Sequence, residues 1–305
     1  MEQRTETSAG EQARERLLMA IPIPERRLEV AGFPTAVLEG GDGPPVVLLH
    51  GLGEFAATWM PVIPRLAAAH HVVVPDLPGQ GASVPVGGRL DKGRVLTWLD
   101  ELIERTCGSP PALVGHLMGG SIAARFAIAK PEQVRRLVLM DSYGLARFRP
   151  SAGFALAMGR FLARPTERSG QRFLQQCMFD LDGLRGRMGE RWDPLFAYAL
   201  DRAKAKNVRA ASRSLMRHLA LPAIPEADLA RIEVPTFLIW GRHDRQVRLK
   251  VAEEASARYG WPLHVIEEAA DDPAFERPEE TLVALRTALE GPARRREDDR
   301  QARRQ

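Results

Sequence analysis

Ala112-Leu113-Val114-Gly115-His116-Leu117-Met118-Gly119-Gly120-Ser121 is the stretch on which the reading of this chain turns. Leu113 and Val114 supply the end of an apolar strand. Gly115, Gly119 and Gly120 supply a sharp turn and close packing, and Ser121 to Ile128 reads as a helix rich in small residues. A strand that turns at once into a helix presents the residue at the turn, and here that residue is Leu117. Leucine has no lone pair with which to attack a carbonyl, so fold and chemistry have to be argued separately.

Four further segments lie around it. Pro45-Val46-Val47-Leu48-Leu49-His50-Gly51-Leu52-Gly53 reads as a buried strand ending in a loop, and His71 to Ser83 as the next strand with a tight exit loop. Thr236 to Asp244 is a strand that ends on an acid. Val265 to Pro273, followed by Glu276-Arg277-Pro278-Glu279, closes the series with a strand, a loop and a last helix. Strands alternating with helices imply a parallel sheet covered on both faces, and such sheets place ligand sites at the carboxyl ends of their strands.

Gly115-His116-Leu117-Met118-Gly119 resembles the nucleophile elbow of the α/β-hydrolase superfamily, where Gly-x-Ser-x-Gly presents a strained hydroxyl. With the other four segments in the order that family requires, the resemblance runs from about Arg26 to Glu290. It implies an α/β-hydrolase fold: a mostly parallel sheet covered by helices on both faces, with a helical cap inserted after the sixth strand. It places the triad acid on Asp244 and the nucleophile position on Leu117. The catalytic histidine, expected in a Gly-His-x-Pro context, is replaced by Asp271. The resemblance also makes the backbone amides of Leu52 and Met118 the oxyanion donors, with His50, Gly51 and Glu54 beside the site as further ligand-binding candidates.

Two of three triad positions therefore fail together. Without the hydroxyl there is no acyl-enzyme, and without the imidazole there is no base with a pKa near neutrality. His50 and His116 flank the site and read as hydrogen-bonded scaffold. His70, His71, His218, His243 and His264 do not occupy the closing loop, and the His243 side chain is expected to diverge from Asp244. Asp244 and Asp271 are expected to be near neighbours, with one carboxyl pKa raised by the other. Glu54 adds a third carboxylate at the pocket edge. The plainer alternative has Arg242, Arg245 or Arg277 beside these acids and Asp271-Asp272-Pro273 capping the last helix. No metal motif with ligand spacing is present, and no cofactor is implied.

The chain has 305 residues, of which 45% are hydrophobic and 27% charged, which suits one globular unit with a sizeable core. Five segments are expected: a polar N-terminal stretch at 1–20, the first part of the core at 21–145, a helical cap at 146–225, the second part of the core at 226–290, and a disordered Arg-rich tail at 291–305. The net charge of +4 is no nucleic-acid signal, because six arginines against three acids in that tail contribute +3 of it. No run reaches the roughly 20 apolar residues of a membrane span, so neither nucleic acid nor membrane is an expected partner. Two distant cysteines and an N-terminus without signal-peptide features point to a reducing cytoplasm. Oligomeric state is not readable.

Locally, Glu11 to Met19 is expected as a short helix, and Arg26 to Val30 and Thr35 to Leu38 as strands turning at Gly32-Phe33-Pro34. Phe55 to Ala69 and Arg94 to Cys107 carry helical apolar spacing. Between Ser142 and Pro225 the alternation stops, and helices are expected at Ala152 to Leu162, Gln171 to Phe179, Trp192 to Ala205 and Arg209 to Leu219. Three functions are compatible with these residues. One is a pseudo-hydrolase that binds a small apolar ligand bearing a carbonyl or carboxylate. Another is a lyase, isomerase or cyclase using the oxyanion amides with Asp244 and Asp271. The last is an esterase-like hydrolase whose nucleophile has moved to Ser121, Ser142 or Tyr143.

Overall fold

The computed structural model describes residues 8–84 and 90–291; the expected tail beyond Gly291 and the first seven residues lie outside these. Eight strands form one sheet: β1 (Glu25–Val30), β2 (Phe33–Gly40), β3 (Pro45–Leu49), β4 (His71–Pro75), β5 (Ala112–His116), β6 (Arg136–Met140), β7 (Thr236–Gly241) and β8 (Leu263–Ile266). Their order is β1-β2-β4-β3-β5-β6-β7-β8. β1 and β2 pair antiparallel, β2 pairs antiparallel to β4, and every other neighbour is parallel.

The helices are α1 (Ala9–Leu18), α2 (Ile63–Ala67), α3 (Lys92–Thr106), α4 (Met118–Ala129), α5 (Ala152–Ala163), α6 (Glu167–Cys177), α7 (Leu181–Met188), α8 (Trp192–Lys204), α9 (Lys206–Leu215), α10 (Glu226–Leu229), α11 (Lys250–Tyr259), α12 (Pro273–Glu276) and α13 (Pro278–Glu290). The period-2 geometry of strands divides the apolar runs between two cores. Val47, Leu49, Leu113 and Leu139 pack on one face with Trp98 and Leu99 of α3 and Ile122 and Phe126 of α4. Val46, Leu48, Val114 and Val138 pack on the other with Ile63 of α2 and Leu282, Leu285 and Leu289 of α13. Continuous apolar strands are needed because both faces are covered.

The helical run α5 to α10 stands between β6 and β7 and bonds to loops at the strands' carboxyl ends and to the first turn of α4. Gln80, after β4, donates from Nε2 to Ser212 Oγ at 3.1 Å, and Ser121 Oγ donates to the Leu219 carbonyl at 2.7 Å. Arg245, after β7, donates to the carbonyls of Gln175, Gln176 and Met178 at 3.1–3.3 Å, and the Asp271 amide, after β8, donates to the Cys177 carbonyl at 3.1 Å. At the other end of the chain α1 starts in a capping box of Ser8 and Glu11 and packs on α8.

Three local expectations are corrected. The β1–β2 hairpin turns at Ala31-Gly32, both at positive φ (50° and 75°), while Phe33 and Pro34 already belong to β2. A two-residue turn of this kind matches the right-handed twist of its strands, and Gly32 accepts the required φ without cost. Phe55 to Ala69 is not one helix but a 3₁₀ turn (Ala56–Trp59) and the short α2, because Pro61 and Pro64 cannot donate to a continuous ladder. Between Phe179 and Trp192 lies α7, whose two glycines and several charges hid it from the apolar spacing.

Candidate functional site

The elbow forms as its glycines require. A Cβ on Gly115 would overlap the Gly119 carbonyl, and a Cβ on Gly119 would overlap the Leu49 carbonyl, so only glycine lets β5, α4 and β3 approach this closely. Leu117 sits between β5 and α4 at φ 45°, ψ −104°, a conformation that costs a non-glycine residue about 1–3 kcal/mol. It is held from three sides. Its amide donates to the Met140 carbonyl at 3.0 Å, and its carbonyl accepts from Tyr143 and Ser121 at 3.1 and 3.2 Å. The side chain is 4% exposed and belongs to the core cluster that includes Tyr143, Leu215 and Leu219.

Leu52 is half-buried in the loop after β3, and Met118 opens α4. Neither backbone amide donates to a protein acceptor among the described residues. The loop around Leu52 is fixed by its neighbours: Gly51 donates to Glu54 Oε2 at 2.7 Å and Gly53 to Gln80 Oε1 at 3.1 Å.

His50 and His116 have their ring nitrogens occupied inside the fold. His50 Nδ1 donates to the Gly51 carbonyl at 2.7 Å, and Nε2 accepts from the Leu77 amide at 2.9 Å. Burial holds its pKa below the ordinary value, so it is a neutral strut. This fits the scaffold reading and leaves His50 no nitrogen for a ligand. His116 Nε2 donates to the Asp271 carbonyl, and Nδ1 faces Glu54 Oε2 at 3.2 Å. Burial alone would lower the His116 pKa, but Glu54, Asp272 and Asp141 outweigh it and hold the imidazole well above its ordinary value. Burial likewise pushes Glu54 up, while His116, His50 and the Gly51 amide bring it below the usual carboxylate value. Glu54 is therefore spent on His116 and the loop rather than free at a pocket edge.

Asp244 and Asp271 do come to one place, though not as a simple touching pair. Asp244 Oδ1 accepts from the amides of Gln246 and Val247 at 2.6 and 2.9 Å. Its Oδ2 and that of Asp141 are both buried away from any N–H or O–H donor, and the two carboxyls are in hydrogen-bond reach of each other. A shared proton is what satisfies both. Burial pushes Asp244 up to about 7. Asp141, which also accepts from the Gly241 amide at 3.0 Å, is raised well above the carboxylate range by burial and by Asp244. Gln246 bridges to Asp271, donating from Nε2 to Oδ2 at 3.2 Å. Asp271 is raised well above its ordinary value by burial, then by Asp244. The Cys177 thiol is raised by burial and by the Asp271 carboxyl.

The arginines expected beside these acids go elsewhere. Arg242 pairs with Glu267, Arg277 with Glu268, and Arg245 serves the α6 carbonyls. The His243 ring stacks on Phe179 at 4.6 Å, away from Asp244 as expected. Asp272 caps α12 by accepting from Phe275 at 3.2 Å and is pushed up to about 7 by burial. Glu276 accepts from the Ala270 and Phe179 amides and is raised by burial. Glu54, His116 and Asp272 place donor atoms within 4.8 Å of one another, the one group among the described residues whose spacing would admit a cation. The protonated imidazole already supplies positive charge between the two carboxylates.

None of Ser121, Ser142 and Tyr143, the three hydroxyls expected as a displaced nucleophile, donates to a base. Ser121 Oγ donates to the Leu219 carbonyl, Ser142 Oγ to the Tyr143 carbonyl at 2.8 Å, and Tyr143 Oη to Gln246 Oε1 at 2.8 Å. Each proton is given to a carbonyl oxygen rather than to a base, and burial raises the Tyr143 pKa well above its ordinary value. The sequence reading missed Asp141, Gln246, Asp272, Glu276 and Cys177 as members of this cluster. Only Asp141 carried a usable signal, being a carboxylate at the carboxyl end of an apolar strand in the sheet's centre.

Comparisons place this geometry. Residues 46–285 match the model of the Alpha/beta hydrolase family. The chain is 34% identical over 230 residues, 70% of its length, to a 2-hydroxy-6-oxononadienedioate/2-hydroxy-6-oxononatrienedioate hydrolase of Cupriavidus pinatubonensis, covering 74% of that protein. It is 28% identical over 262 residues (80% of this chain, 95% of the other) to a pimeloyl-[acyl-carrier protein] methyl ester esterase of Aeromonas hydrophila. Among solved structures, the 2-hydroxy-6-oxo-6-phenylhexa-2,4-dienoate hydrolase of Rhodococcus sp. strain RHA1 superposes with a TM-score of 0.78 at 24% identity, covering 88% of this chain and 99% of the other. The elbow, the sheet order and these matches together establish that this chain belongs to the alpha/beta hydrolase family.

Proposed function

We propose that this chain is a member of the family that has given up acyl-enzyme chemistry and binds a small apolar ligand bearing a carbonyl or carboxylate. Helices α5 to α9, within the expected cap segment 146–225, act as the cap over the strand ends. The observation that carries this reading is Leu117: the strained elbow is kept, and an alkyl group stands where a hydroxyl would attack. Asp271 at the histidine position removes the base as well, and a buried carboxyl hydrogen-bonded by Gln246 and raised well above its ordinary value cannot take over a proton shuttle tuned to neutrality. The amides of Leu52 and Met118 and the positive end of α4 favour a ligand oxygen, and Leu117, Tyr143 and Leu219 favour an apolar body. The cysteines, Cys107 and Cys177, are both free, which suits a cytoplasmic setting.

An activated phosphonate probe is expected to leave the native protein unlabelled, and native mass spectrometry to find a co-purified small molecule. The double substitution Leu117→Ser with Asp271→His is expected to gain measurable ester hydrolysis on the existing elbow. A covalent adduct on the native protein, mapped to Ser121, Ser142, Tyr143 or Cys177, overturns the proposal. A second reading, a non-hydrolytic lyase or isomerase, is favoured by one observation: Asp244, at about 7, holds or releases a proton near neutrality. Turnover of a carbonyl substrate that is lost in Asp244→Asn would decide for it.

A further inference from the structure

α5 is apolar on both of its faces, yet one of them is open. Its inner face seats Phe154, which is fully buried, with Met158 and Phe161 partly so. Its outer face is Ala152, Ala155, Leu156, Gly159, Leu162 and Ala163, all exposed and spaced three or four apart, so that they share one side of the helix. Leu156 is 56% and Leu162 52% exposed. A helix this apolar is ordinarily enclosed, and an outer face whose single charged neighbour, Arg160, stands at its edge needs a covering.

Charge around this face is one-sided. The segment 146–176 contains six arginines and a single acid, Glu167. Arg160, Arg164, Arg168 and Arg172 line a groove of about 630 Å³ between α5 and α6, with Leu156 on its wall. Among the described residues none of these four, nor Arg147 or Arg149, is in an ion pair. An apolar helix face rimmed by unpaired arginines is the chemistry of a peripheral contact with an anionic bilayer: the face enters the acyl boundary and the guanidiniums meet phosphates. A second copy docked symmetrically on this face would set arginine against arginine, which disfavours it.

We propose that the α5–α6 hairpin docks the protein on an anionic lipid surface, a peripheral attachment that needs no membrane span and runs against the expectation that no membrane is a partner. It stands whether or not Leu117 has abolished hydrolysis. The test is flotation of the full chain with vesicles of phosphatidylcholine alone and with about a third phosphatidylserine. Binding is expected only to the anionic vesicles. Leu156→Ser with Leu162→Ser should lower the partition coefficient about 25-fold through lost apolar insertion. Arg160→Ala with Arg164→Ala should lower it by a similar factor of about 25. All four positions are exposed, so unchanged thermal unfolding of both variants certifies that the fold is intact. Equal binding to neutral vesicles overturns the proposal, as does binding that survives the serine pair, which would be charge attraction by the Arg-rich chain end alone. A dimer in sedimentation that the serine pair dissolves also overturns it, because the face would then be covered by a second copy.

Discussion

Replacing Asp244 by asparagine should make the protein more stable at alkaline pH and remove part of its pH dependence. Asp244 rises from 3.8 in an ordinary environment to about 7 in the fold, because burial penalises its charge. A raised carboxyl pKa means the native state holds a proton that the unfolded chain has released. The stability it contributes is complete below about pH 4 and is lost as pH rises through about 7. At about 1.4 kcal/mol per pH unit, that rise is worth about 4 kcal/mol across the window. Asp272, also raised to about 7, acts with the same sign, and His116, held well above its ordinary value, extends the loss to higher pH. His50 opposes them, since its lowered pKa contributes stability as pH rises toward 6.5. Asparagine keeps an acceptor for the Gln246 and Val247 amides and offers an N–H to Asp141, so it mimics the protonated acid. Urea unfolding of both proteins at several pH values from about 5 to about 8 reads Asp244 together with Asp141 and Asp271, the two carboxyls it raises, while the more distant groups are common to the pair. The variant should gain on the wild type between about pH 5 and about 7 and level off above that. A difference that stays constant with pH would refute the shared-proton account of Asp141 and Asp244.

Leu117→Gly should be at least as stable as Leu117→Ala, by about 1 kcal/mol, since glycine relieves the positive φ that alanine must keep; at ordinary helix and strand positions the order is reversed. Chemical denaturation of the two variants measures this, and alanine clearly ahead would deny the strain. Arg14→Ala should cost about 3–5 kcal/mol, because Asp76, fully buried and 3.3 Å from the guanidinium, loses its ionic partner, and Glu25 with it. A loss under about 1 kcal/mol in the same assay would show the pair to be a surface contact in energetic terms.

The sheet was legible because buried parallel strands must be continuous apolar runs, and Val46 to Leu49, Val72 to Val74 and Leu137 to Met140 are such runs. The elbow was legible because its glycines are required by contacts between neighbouring backbones. What escaped was proximity between segments distant in the chain. Nothing local to Asp141, at the end of β6, says that Asp244 lies against it, or that Gln246 reaches Asp271. The expectation of Asp244 and Asp271 as the close pair took the family's acid and base positions and left out the third carboxyl beneath them. The N-terminal stretch was read from its polarity, although Ala13 and Leu17 carry it into the core on the α2 side of the sheet.

That N-terminal helix has a mechanical consequence. α1 lies along α8, with Gly10 so close to Asp201 that a methyl group there would collide with its carboxylate, while Arg14 reaches past Glu25 to Asp76 behind β4. α8, in the run of helices between β6 and β7, is thus strapped down by a piece of chain that precedes the whole sheet. Swinging α8 outward on the two linkers to β6 and β7 would tear the α1 seam, so the segments of that run that α1 does not hold are the freer ones to move.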